Sequence, residues 1–236
     1  MHVLAIVHQP DAGLGVFTET IDAAGDRIEE WLPVRSPAPP SDLRDYGAVI
    51  TLGGAMHPDQ EHDHPWLAAE KRLLGRLLEE GTPVLGVCLG AQLLAGVAGA
   101  EVRRAGAPEI GWFPVRTTPA ASGDRLLGPL APSFEALEWH SYEFSLPPGA
   151  TSLARSERCL QAFRIGNAAW GIQFHAEVSA PDLESWIDDW RSDPDAVAFG
   201  LDADALRAET VGALAGWNEL GRELCGRFLE VARSPA

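Results

Sequence analysis

Pro83-Val84-Leu85-Gly86-Val87-Cys88-Leu89-Gly90-Ala91-Gln92 carries the strongest structural signal in the chain. Pro83–Val87 reads as a buried strand, and Ala91–Ala98 reads as a helix. Between them stands a single cysteine with a glycine two residues before it and another two residues after it. Strand, sharp turn and helix with a nucleophile in the turn is the logic of a nucleophile elbow, here with Cys in place of Ser. Residues without Cβ let neighbouring backbone approach such a turn. The turn holds the Cys88 sulfur clear of the sheet at a helix N-terminus, whose partial positive charge favours thiolate. The N–H of Leu89 would point at an anion forming beside the sulfur. Cys159 in a strand and Cys225 on an apolar helical stripe lack these surroundings and read as core packing.

Working outward, Val3–Val7 and Ala48–Leu52 are further short apolar strands, Ile28–Leu32 is a weaker one, and Thr18–Ala24 reads as a short helix. Pro33–Pro40 is a proline-rich connector. Pro65 suits the first position of a helix in which Trp66, Leu67, Leu73, Leu74, Leu77 and Leu78 recur at helical spacing up to Gly81. Alternation of strand and helix predicts parallel strands covered on both faces. The middle of the chain differs. Ile110–Arg116, Phe134–Trp139, Ser152–Arg155, Cys159–Arg164 and Ala169–Phe174 read as strands, several antiparallel, joined by Pro/Gly turns. After Pro181 two apolar stripes follow, one through Leu183, Trp186, Ile187 and Trp190. The other runs through Val211, Leu214, Trp217, Leu220, Leu224, Phe228 and Val231. They are expected to pack on the body of the protein or on a second copy, as in a homodimer. The expected architecture is α/β: a mostly parallel central sheet with helices on both faces, a small antiparallel addition, and C-terminal helices. Residues 1–236 are expected to form a single domain, with a core over 1–180 and a helical extension over 181–236.

A second chemical signal is Gly171-Ile172-Gln173-Phe174-His175-Ala176-Glu177. In extended chain, residues i and i+2 point to the same side, so Glu177 can accept a hydrogen bond from His175 and orient its ring. An oriented imidazole is the base that a cysteine nucleophile needs. His62 and His64, among the acids of Asp59–His64, lack the further spaced ligands of a metal site and read as a solvated cap. Gly13-Leu14-Gly15 lacks the third glycine of a dinucleotide loop. No metal and no cofactor is expected.

These motifs together resemble the class I, triad-type glutamine amidotransferases, in particular the free-standing GMP-synthase-like chains of that family. The resemblance covers roughly residues 1–180. It rests on Gly86–Gln92, on Gln173–Glu177, and on Thr51-Leu52-Gly53-Gly54 as the glycine loop of the oxyanion hole. It implies a flavodoxin-like fold, Cys88 as nucleophile, His175 as general base and acid, and Glu177 as its orienter. It further implies the N–H groups of Gly54 and Leu89 as oxyanion donors, and Gly53, Gln92, His140 and Tyr142 as substrate-pocket residues. Glu109–Val115, with Gly111-Trp112, and Glu138–Phe144 match two further segments of the GMP-synthase-like chains. Tyr142 stands where many relatives carry an acidic residue. His140 is expected either to touch substrate or to close the cleft.

With 46% hydrophobic residues in 236, the chain can bury a large core, roughly 70–75% of its unfolded surface at this size. A formal net charge of -16 repels phosphate backbones and anionic lipid, so neither nucleic acid nor membrane is an expected partner. Three cysteines without short-range spacing suggest no disulfide framework. With no signal-peptide core and no run of ~18 apolar residues, the expected location is cytoplasmic. The resemblance implies hydrolysis of glutamine with ammonia passed to a separate synthetase or acceptor protein, because no nucleotide-binding loop or second catalytic domain is evident. Two other readings stay open. One is a γ-glutamyl peptide or amine hydrolase working without a synthetase. The other is a non-catalytic binding or regulatory module, which the intact Cys88, His175 and Glu177 oppose.

Overall fold

The computed structural model describes residues 1–40, 42–128, 130 and 132–234. One sheet organises them. Its parallel half comprises β1 (His2–Ile6), β2 (Arg27–Trp31), β3 (Ala48–Thr51), β4 (Val84–Val87) and, from much later in the chain, β9 (Ala169–Ile172). The antiparallel half comprises β5 (Val102–Thr117), β6 (Ser133–Phe144), β7 (Thr151–Arg155) and β8 (Leu160–Ile165). The order across the sheet is β2-β1-β3-β4-β9-β8-β7-β5-β6. The mid-chain strands therefore continue the same sheet through the β8–β9 pairing, and β5 starts well before the predicted Ile110, with a register shift between Arg104 and Glu109.

Both faces of β1, β3, β4 and β9 are dry, which is why these strands read as apolar runs, while the edge strand β2 keeps its charged residues in solvent. In β1, Val3 and Ala5 join one core cluster and Leu4 and Ile6 the other. The helices α2 (Trp66–Glu80) and α3 (Leu89–Val97) cover the face of Leu4 and Ile6. The opposite face is covered by α1 (Val16–Ala23), α4 (Ala180–Asp189) and α6 (Ala203–Arg233), while the short α5 (Pro194–Phe199) lies between α4 and α6 in sequence. The stripe of α6 packs as expected at Trp217, Leu224, Phe228 and Val231, but Val211 is 87% exposed. At about 100° per residue Val211 lies ~120° off the Trp217 direction. Leu206 lies close to that direction and is buried in its place.

The site follows from strand order. β4 lies between β3 and β9, with Thr51 opposite Gly86 and Val87 opposite Ile172. The segments after these three adjacent parallel strands are Leu52–Gly54, Cys88–Gln92 and Gln173–Glu177. The carboxyl ends of parallel strands are where open α/β sheets place their ligands.

Candidate active site

Cys88 leaves β4 with φ 49 and ψ -107 and is the one non-glycine residue with positive φ among the described residues. Such a backbone costs on the order of 1–3 kcal/mol and persists only where its surroundings hold it. Here the Cys88 N–H donates to the Ile172 carbonyl at 2.9 Å and the Gly90 N–H to the Leu52 carbonyl at 3.0 Å, tying the turn to both neighbouring strands. A Cβ on Gly90 would lie 2.2 Å from the Thr51 carbonyl oxygen, so the tie excludes any side chain there. Among the described residues no hydrogen bond uses the N–H of Leu89 or of Gly54. The Cys88 thiol, in a residue 5% exposed, faces the Trp139 carbonyl at 3.8 Å.

His175 lies past the end of β9, in a bent segment, yet its Nδ1 and Glu177 Oε1 are 2.7 Å apart. Burial by itself would push the His175 imidazole down. The Glu177 charge and the Cys88 sulfur outweigh it, and the group lies well above its ordinary value. Trp186 meets the ring edge-on with centroids 4.9 Å apart.

Two distant elements hold this bent segment. On one side the Val16 N–H donates to the Glu177 carbonyl at 2.8 Å. On the other, α6 places Trp217 Nε1 2.7 Å from the His175 carbonyl and Asn218 Nδ2 2.8 Å from the Val178 carbonyl. Gly221 lets the helix approach, since a Cβ there would be 2.0 Å from the Ala176 carbonyl oxygen. The Gly13-Leu14-Gly15 turn has the same use: a Cβ on Gly15 would be 2.0 Å from the Glu177 carbonyl oxygen.

His8 and Glu70 form a support beneath the site that the sequence did not reveal. His8 Nδ1 donates to the Gly53 carbonyl at 3.0 Å and Nε2 to Glu70 Oε2 at 2.9 Å, while Thr51 Oγ1 donates to Glu70 Oε1 at 2.7 Å. The Glu70 carboxylate and the backbone carbonyls of Gly53 and Leu52 outweigh burial and raise His8. This buried network holds the Gly53–Gly54 loop from below. A solitary glutamate on α2 and a histidine ending a strand carried no signal of it.

Gln92 is buried and donates to the Tyr142 carbonyl and to Gln173 Oε1, both at 3.2 Å. It lines a cleft beside Cys88 together with Leu89, Tyr142, Arg104 and Asp195. The Tyr142 hydroxyl donates to Asp59 at 3.0 Å, and its ring stacks on His57. His140 Nδ1 donates to the Tyr142 carbonyl at 2.9 Å, and Nε2 lies 3.2 Å from Glu109 and 3.3 Å from Glu138. Burial raises Glu138, while the two carboxylates raise His140 to about 10 against its own burial. Glu109, His140 and Cys159 are the one group among the described residues whose donor atoms converge within 4.8 Å as a metal site would require. His62 and His64 form no such group.

The glutamine amidotransferase class I family model matches residues 16–187, which span the elbow, the Gly-Gly loop and the His175–Glu177 segment. The chain belongs to the class I glutamine amidotransferases. A glutamine amidotransferase from Thermotoga maritima superimposes with a TM-score of 0.88 at 29% identity, covering 98% of each chain. One subunit of the glutamine-hydrolyzing GMP synthase of Ignicoccus hospitalis is 34% identical over 177 residues, 73% of this chain and 89% of that one. A gamma-glutamyl-L-1-hydroxyisopropylamide hydrolase from a Pseudomonas species is 33% identical over 151 residues, 60% of this chain and 50% of its own length. Among the described residues no helix is long and apolar enough to cross a membrane.

Proposed function

We propose that this class I glutamine amidotransferase, as one domain over residues 1–236, hydrolyses the γ-amide of glutamine through a γ-glutamyl thioester on Cys88 and releases ammonia to a separate acceptor protein. The observation that carries the reading is the positive-φ Cys88 at the end of β4, which lines one cleft with His175 of the hydrogen-bonded His175–Glu177 pair. The similarity to the Ignicoccus hospitalis GMP synthase chain, which is named as one subunit of a larger enzyme, supports the separate acceptor.

In this reading His175 takes the Cys88 proton and Glu177 holds the imidazolium that results. The thiolate attacks the γ-carbonyl carbon. The N–H groups of Leu89 and Gly54 receive the oxyanion, a donor pair in which each member is typically worth ~10²–10³ in turnover. Collapse breaks the C–N bond, and the His175 proton goes to the departing nitrogen. Water, giving its proton to His175, then cleaves the thioester to glutamate and restores the thiol. Gly53, Gln92 and Tyr142 border the γ-glutamyl group, and His140 closes the cleft from behind. Arg104 and Asp195, 2.7 Å apart, offer the two charges an amino-acid head group needs.

An electrophilic γ-glutamyl analogue tests this directly. It is expected to label Cys88 and spare Cys159 and Cys225, whose thiols burial pushes upward, to about 12 at Cys225. Cys88→Ala is expected to abolish glutamate release while still binding glutamine. Labelling of another cysteine first, or full turnover by Cys88→Ala, would identify the wrong nucleophile.

A further inference from the structure

Two clefts meet at Cys88, and their linings differ. They share Gly54, Ala55, Cys88, Trp139, Ser192 and Asp193. One continues past Gln92 and Tyr142 to Arg104 and Asp195. The other contains His175, which the first does not. A group that protonates the departing nitrogen must stand on the side where that nitrogen departs, so the His175 cleft is the leaving-group side of the reaction proposed above.

That cleft is larger than ammonia requires, and beyond Cys88 and His175 its walls carry mainly indoles and acidic residues. Trp139, Trp186 and Trp190 supply indole surface, and Asp11, Asp189 and Asp193 supply carboxylates. No lysine or arginine lines it. Among the described residues none of the three carboxylates is in a salt bridge. Their partners are neutral donors: Gln9 Nε2 to Asp11 at 2.9 Å, Ser192 Oγ to Asp189 at 2.6 Å, and, at Asp193, Trp139 Nε1 at 2.9 Å with the Asp195 and Ala196 N–H groups of the α5 cap at 2.8 and 3.3 Å. Arg191 stacks on the Trp190 ring at 4.7 Å without lining the cleft. Indole faces attract cations, and a concave site lined by charge of one sign concentrates the opposite sign. An anionic or merely apolar leaving group meets the wrong potential here. The Arg104 cleft, by contrast, holds both signs, as the zwitterionic head of a γ-glutamyl group demands.

We propose that the His175 cleft is a leaving-group subsite for a cationic amine, so that the chain cleaves γ-glutamyl amides of diamines or polyamines. The proposal rests on the reading that Cys88 carries the γ-glutamyl group. Attack by the Cys88 sulfur forms the C–S bond, and the C–N bond breaks as His175 gives its proton to the amide nitrogen. The amine leaves with its distal ammonium held among the carboxylates. Water then releases glutamate, as in glutamine hydrolysis, and no other reactant is needed.

The test compares kcat/KM for glutamate release from γ-glutamyl-1,4-diaminobutane, γ-glutamylbutylamide, γ-glutamyl-4-aminobutyrate and glutamine, using the full chain. The three substituted amides share a four-carbon reach and differ in distal charge. The diaminobutane amide is expected to exceed the butylamide by about tenfold, and the aminobutyrate amide to be the poorest; the preference shrinks as salt screens the cleft. In Asp11→Asn and in Asp189→Asn, which keep side-chain size, the ratio of diaminobutane amide to butylamide is expected to fall toward one. Equal or faster cleavage of the butylamide overturns the proposal and leaves the Cys88 mechanism standing. So does an unchanged ratio in both variants, or turnover of glutamine with none of the amides. Release of glutamate from none of the four substrates, with Cys88 unlabelled by the electrophile, overturns the Cys88 reading and this proposal together.

Discussion

The indole Nε1 of Trp217 donates to the carbonyl of His175 at 2.7 Å, so the long C-terminal helix grips the backbone of the residue that serves as base in the proposed mechanism. Trp217→Phe keeps most of the buried ring and leaves that carbonyl without its donor, which should cost about 1–3 kcal/mol of stability. Because the contact reaches substrate only through His175, kcat should fall while KM holds. Urea titration and steady-state kinetics on the same preparation check both. A variant with lowered stability and unchanged kcat would show that the grip is structural only.

Gly221 makes the same point sterically. Gly221→Val places a Cβ where the Ala176 carbonyl oxygen now stands, 2.0 Å away. The helix or the His175 segment must move, and the loss in stability and in kcat should exceed that of Trp217→Phe. Thermal unfolding beside an activity assay reads the order of the two variants.

Removal of Glu70 should act on the opposite wall of the site. Glu70→Leu leaves the buried His8 imidazole and the Thr51 hydroxyl without the carboxylate they bond at 2.9 and 2.7 Å. Leaving a buried polar group without its partner costs about 1–3 kcal/mol. His8→Leu together with Glu70→Leu should cost less than the single change, since the imidazole N–H left without an acceptor is removed as well. A double-mutant cycle in urea measures the difference.

Glu177→Ala should be milder than Cys88→Ala, by on the order of 10²-fold in kcat, because His175 retains part of its function without an orienter. Single-turnover glutamate release in the two variants and the parent chain checks the order. Equal losses would mean that Glu177 does more than orient.

Stability should fall on the alkaline side of neutrality. His8, His140 and His175 are buried, and carboxylate partners raise all three against that burial, His140 to about 10. Above the unfolded histidine value of ~6.5 the folded chain therefore binds more protons than the unfolded chain, and stability decreases with pH. The contribution is whole below that value and is lost as pH rises through the folded values. Glu138, raised by burial, acts in the same direction. Urea midpoints at about pH 7 and about pH 10 should show the fall, and a flat profile would contradict it.

Local spacing along the chain was enough for part of this architecture. Unbroken apolar strands alternating with amphipathic helices implied parallel strands with both faces covered. Glycines around Cys88, the Gly53-Gly54 pair and the two-residue step from His175 to Glu177 are chemical patterns within a few residues, so they were legible without coordinates. Strand order decided the rest. It set β9 beside β4 and thereby brought His175 into one cleft with Cys88 across 87 positions. It set His8 on Glu70 across 62 positions and Trp217 on His175 across 42, pairs in which each residue alone reads as ordinary packing. Val211 illustrates the limit within a single helix: the apolar pattern named it, and the direction of the face that α6 turns to the sheet left it in solvent. The character of the His175 cleft was equally out of reach. Asp11 follows the first strand, and Asp189 and Asp193 cap or end short helices near the other end of the chain; only folding brings these three acidic residues and three tryptophans to the wall of one space.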